Sequence, residues 1–147
     1  MSELAIRRPL IQQRWPMTGE AWLTLVDELE RLRADAFSLT GELADGVVDL
    51  AVVKAARRLD VLSAVRDAAE RIHEPDLVVI GRRVTIREPE GESVSYDLVF
   101  PGDGDPAQGW ISADSPLGSA VLGCEPGDKV EVRAPAGQRV VTVLSVE

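Results

Sequence analysis

Two regimes of hydrophobic periodicity predict an α+β fold, a pair of long helices followed by a small antiparallel sheet carrying one short helix. From Trp22, large apolar residues fall at Trp22, Leu25, Leu29, Leu32, Ala36, Leu39 and Leu43. That 3-4-3-4 spacing is the seam of a coiled-coil helix. From Leu77 the period drops to two: "LVVIGRRVTIRE", "SVSYDLVF" and "VTVLSVE" alternate or run β-branched, with "EPEGE", "PGDGDPAQG", "EPGD" and "APAG" as turns between them.

Each element has a local reason. Residues 1–16, Trp15 included, show no readable partner and form an N-terminal extension. Thr18 is placed to cap the first helix, with Glu20 and Asp27 toward the positive end of its dipole. A second helix is expected from about Val47 to His73, with Val48, Ala51, Val52, Ala55, Leu59, Leu62, Val65, Ala69 and Ile72 on one face. Pro75 ends it, because a residue before proline is pushed out of helical geometry, and His73 supplies a favourable charge at its C-terminus. Two such helices joined by a few residues pack antiparallel. At roughly 26 residues each, residues 17–75 make a protruding hairpin on the order of 40 Å long.

Residues 76–147 form the sheet domain. Within "ISADSPLGSAVLGCEPGDKVEV" (111–132), Ser115 caps a short helix that starts at Pro116 and closes at Gly123. Leu117, Ala120 and Val121 face inward, and Pro126–Gly127 make a type II turn into a strand at 129–133. Tyr96 and Trp110 are expected in the core, and Cys124 as an inert thiol.

Composition narrows the function classes. The 147 residues carry a net charge of −9. Residues 1–75 hold ten basic and thirteen acidic side chains (−3), and residues 76–147 hold six and twelve (−6). Neither half has the cationic surplus that phosphate contact needs, so independent DNA binding is not expected. A negative surface suits a partner lined with Lys and Arg. One Cys and one His exclude an internal disulfide and a zinc site of the usual kind, which fits a reducing cytoplasm. No apolar run has membrane-span length, and the first residues lack a signal-peptide core.

Residues 111–132, with Ser-Pro, a short apolar helix ending in Leu-Gly and then Gly-Asp-x-Val, resemble the C-terminal signature of the Gre transcription factors. "MTGEAWLTLVDELERLR" and "AVVKAARRLDVL" resemble their helices, so the likeness spans roughly residues 17 to 147. It implies an FKBP-like sheet domain that docks on the rim of the secondary channel of bacterial RNA polymerase, and a coiled coil inserted through that channel. Asp114, Ser115 and Pro116 then face the polymerase. Lys54, Arg57 and Arg58 face RNA or the channel, although Arg58 is also close enough to the apolar stripe to lay its stem across the partner helix. The partner is the polymerase and, only within that complex, the nascent RNA 3′ end. The factor is expected to be a monomer with no cofactor of its own, not itself an enzyme.

The segment joining the helices, "TGELADGVVDLAVV" (40–53), carries Glu42, Asp45 and Asp49. In cleavage-stimulating relatives two tip acids help the polymerase hold its second Mg²⁺ and orient the attacking water, and Asp45 and Asp49 are the candidates here. The tip departs from the usual pattern: Asp45 precedes Gly46, Asp49 follows four positions on, and Val52 and Val53 replace Glu and Tyr. A tip that enters without aligning water blocks the channel, so cleavage stimulation and inhibition are both open. Two other classes compete, a coiled-coil interaction module and an FKBP-like peptidyl-prolyl isomerase.

Overall fold

The computed structural model describes residues 14–40 and 50–147, with residues 36–40 as backbone alone. In chain order the elements are strand β1 (Trp15–Met17), helix α1 (Gly19–Thr40), helix α2 (Leu50–Asp67), strands β2 (Ala69–Arg71), β3 (Arg83–Arg87) and β4 (Ser93–Val99), and a 3₁₀ turn (Pro106–Gln108). Strand β5 (Trp110–Ser112), helix α3 (Pro116–Val121) and strands β6 (Lys129–Ala134) and β7 (Gly137–Val146) complete the chain. The expectations for Leu43 and for residues 41–49 fall outside the described residues.

Helix α1 starts as its sequence dictates: Thr18 Oγ1 accepts a hydrogen bond from the Ala21 amide at 3.1 Å, which satisfies one of the donors a helix start leaves open. Leu25 and Leu29 are buried from α1, Leu62 and Val65 from α2, while Trp22, Leu32 and Leu59 pack at the margin. Glu28 pairs with Arg58, and β1, before α1, pairs with β2, after α2. The two helices therefore run in opposite directions. Their 22 and 18 residues correspond to roughly 33 and 27 Å.

The end of α2 corrects the sequence reading. The helix stops at Asp67, and Ala69–Arg71 lie parallel to Trp15–Met17, with Trp15 opposite Ala69 and Met17 opposite Arg71. The Trp15 amide donates to the Ala68 carbonyl at 2.9 Å, and the Ile72 amide donates to that of Met17 at 2.8 Å. Ala, Glu and Arg favour helix on their own, but pairing with β1 overrides that local preference. Pro75 is thus not the helix terminator, His73 is not at a helix end, and Trp15 has a partner. The same strand joins the helices to the sheet: Met17 is buried and bridges Ile80, and the Thr18 amide donates to the Ile80 carbonyl at 3.0 Å.

The main sheet has the order β5-β4-β3-β7-β6. It is mixed rather than wholly antiparallel, because β4 and β5 are parallel. The loop after β4 makes this possible: Asp105 caps the 3₁₀ turn, and Gly109, at φ 76°, reverses the chain beside β4. Alternation puts Val84, Ile86, Leu98, Val130, Val132, Val141 and Val143 in the core, where Leu117 and Val121 of α3 cover them. Tyr96 packs against that core, but Trp110 is 37% exposed and does not fill it. The buried cluster runs without a break from the base of α1 and α2 into the sheet. Among the described residues no helix is long and apolar enough to cross a membrane.

Candidate functional site

The loop between β5 and α3 is over-determined by hydrogen bonds. The Ser112 carbonyl accepts from the Ser115 amide at 3.0 Å and from the Ser115 hydroxyl at 2.6 Å. Ser115 Oγ in turn accepts from the Gly118 amide at 3.0 Å, and Pro116 occupies the first helical turn, where its missing amide costs nothing. Gly118 is pressed onto the end of β5: a Cβ there would stand 1.9 Å from the Ser112 carbonyl oxygen. At the other end Gly123, at φ 81°, turns the chain, and its amide donates to the Val78 carbonyl at 2.7 Å.

On this rigid base Asp114 is exposed, and among the described residues its carboxylate makes no hydrogen bond or ion pair. Pro116 is exposed beside it and Ser115 half-buried. A carboxylate held on such a loop, without a partner among the described residues, is suited to an external cation.

The three basic residues of α2 divide. Lys54 and Arg57 point to solvent one turn apart. Arg58 turns inward, the course its place beside the apolar stripe left open. Its guanidinium donates to Glu28 Oε1 at 3.3 Å, to the Pro101 carbonyl at 3.0 Å and to Asp103 Oδ2 at 2.6 Å. The long side chain does cross to the partner helix, but its head then continues to the loop after β4. "PGDG" is legible as a turn; nothing in the sequence ties it to Arg58.

Glu42, Asp45 and Asp49 lie outside the described residues. Among the described residues no group of three or more His, Cys, Asp or Glu side chains is placed to hold a metal. Cys124 is buried, with its thiol 3.5 Å from the Ala120 carbonyl. On the sheet surface the hydrogen bond and then the charge of Asp97 raise the Arg83 pKa above its ordinary value. A cleft of about 450 Å³ separates the first turns of α1 from the end of β4, lined by Thr18, Thr24, Ile80, Phe100, Asp103 and Trp110. Local periodicity carries no signal of it, since its walls are distant in sequence.

A two-helix element is thus joined to a small mixed sheet that carries Asp114 exposed on a capped loop. The family model described as the C-terminal domain of transcription elongation factors GreA/GreB matches residues 73–147. Transcription elongation factor GreA of Geobacillus kaustophilus is 33% identical over 155 aligned residues, covering 92% of this chain and 98% of that protein. GreA of Bacillus licheniformis is 40% identical over 72 residues, covering 48% of this chain and 46% of its own. Among solved structures, GreA factor homolog 1 (Gfh1) of Thermus thermophilus aligns with a TM-score of 0.42 at 26% identity, covering 92% of this chain and 99% of that one. The GreA/GreB factor of Nitrosomonas europaea aligns at 0.47 and 24%, covering 92% and 98%. The chain belongs to the GreA/GreB family of transcription elongation factors.

Proposed function

We propose that this factor docks on bacterial RNA polymerase through the Asp114–Pro116 loop and passes its two helices, as a coiled-coil hairpin, into the secondary channel. Asp114, exposed and without a hydrogen bond or ion pair among the described residues, carries the docking assignment. Ser115 and Pro116 act by holding it: the cap and the fixed proline φ leave the loop little conformational freedom to lose on binding. The sheet domain, FKBP-like in this reading, is the anchor, and the helices are the arm. Its aromatic-lined cleft is walled on one side by α1, which argues against a self-contained isomerase pocket in the sheet domain. Acting as a monomer with no cofactor of its own, the factor changes what the polymerase does rather than catalysing a reaction.

The action at the far end rests on Asp45 and Asp49, with Glu42 beside them. Carboxylate oxygens are ligands that Mg²⁺ accepts while keeping several waters, so these residues can share the metal of the polymerase active centre. The sequence around them favours channel blocking over cleavage stimulation, because the acids are spaced differently and Val52 and Val53 stand in place of Glu and Tyr. Lys54 and Arg57, exposed one turn apart on α2, are the side chains that would meet RNA or the channel wall.

Binding to purified bacterial polymerase tests the docking. Asp114→Arg should weaken it by about tenfold or more, since like charges set against each other at an interface cost several kcal/mol. Unchanged affinity would remove the loop from the interface. Adding the factor to a backtracked complex separates the two actions: slowed nucleotide addition without RNA shortening marks the blocker, and shortening from the 3′ end marks the cleavage factor.

A further inference from the structure

We propose that Arg58 is a positioning residue that fixes the direction of α1 and α2 relative to the five-stranded sheet. Its consequence at polymerase, where the far end of the helices stands relative to Asp114, rests on the function proposed above.

The guanidinium joins three places that are distant in sequence: Glu28 on α1, its own helix α2, and the loop after β4. The Arg58 side chain is only 22% exposed, Glu28 31% and Asp103 36%, so the network is partly shielded from solvent screening. The loop is shaped to receive it. Pro101 is buried, the Asp103 amide donates to the Phe100 carbonyl at 3.0 Å, and Gly102 takes φ 88° directly below Arg58 Nη1. This turn presents a carbonyl and a carboxylate to the same guanidinium, a geometry that suits the planar fork of arginine.

On this side close packing holds the base of α1, where Ala21 is buried and a Cβ on Gly81 would stand 2.5 Å from Thr18 Oγ1. Between α1 and the end of β4 the cleft runs along Thr18 to Thr24, and Glu28 lies one turn beyond it. The helices are thus attached at their base, where β1 meets Ile80, and again past the cleft through Arg58. One attachment permits a pivot, whereas two set a direction. Glu28 and Asp103 converge on one cation, so without it two carboxylates face each other and repel.

The test measures the free protein. Nitroxide labels at Arg33→Cys and Gln138→Cys, both exposed positions, report the helix-to-sheet distance by pulsed electron paramagnetic resonance, with the buried Cys124 shielded from the label. The parent should give a single narrow distribution. Arg58→Ala should broaden or shift it, Asp103→Asn should do so without altering either helix, Arg58→Lys should partly restore it, and Arg57→Ala should leave it unchanged. Distributions identical to the parent in both Arg58→Ala and Asp103→Asn would overturn the proposal. With polymerase, Arg58→Ala should bind as the parent does, while its effect on RNA falls by about tenfold or more, since small displacements at a reacting centre are costly. If the parent fails to bind polymerase, the functional reading falls and the distance measurement still decides the clamp.

Discussion

Gly118 sits where one added methyl group would stand 1.9 Å from a backbone oxygen. Forced overpacking of this kind costs roughly 1–3 kcal/mol, so Gly118→Ala should lower the urea midpoint accordingly and disturb the loop that holds Asp114. Removing the Ser115 hydroxyl loses a cap worth about 1 kcal/mol, and Ser115→Ala should show it in the same denaturation series. The sequence carried one of these two residues plainly. Ser115 followed by Pro116 is a helix start by local chemistry alone, and the structure has it there. Gly118 gave no such sign, because what makes it glycine is the end of β5, brought against α3 only by the folded chain. Arg58 is the same lesson with a charge: its place beside the apolar stripe allowed a stem laid across the partner helix, but its bonds to Pro101 and Asp103 lie in a loop that no local pattern ties to it.

At the level of elements, β1 and β2 show why a local pattern misled. Residues 69–71 continue the apolar face of α2 and are built from helix formers, yet they pair with Trp15–Met17. The pairing predicts that the Ile72 amide, which donates to the Met17 carbonyl, is protected from hydrogen exchange; a frayed helix end would leave it open. Met17 is fully buried where the helices meet the sheet. Its replacement by Ala should cost about 2–5 kcal/mol and should loosen both parts together, seen as one cooperative but earlier unfolding transition. The parallel placement of β5 was equally hidden, since alternation gives a strand and its inward face but not the neighbour it pairs with. What periodicity did carry was the two-helix element, the period-two half, and the buried Leu25, Leu29, Val84 and Val130 that both halves contribute to one core.

For the whole molecule, the charge of −9 and the exposed Asp114 both suit the docking proposed above onto a basic surface. Affinity for polymerase should therefore fall as ionic strength rises, and Asp114→Arg should flatten that dependence. On the function proposed above, the direction that Arg58 sets decides whether a docked factor also reaches the active centre. The most direct test of docking and insertion uses a backtracked bacterial elongation complex with labelled RNA, Mg²⁺ and a cleavage-competent Gre factor from another source. To this is added the Asp45→Ala, Asp49→Ala form of the present chain, which cannot itself assist cleavage through those acids. That form should suppress RNA shortening by occupying the channel, and adding Asp114→Arg to it should abolish the suppression. RNA shortening that proceeds undiminished in a large excess of the double variant would contradict channel occupancy by this protein.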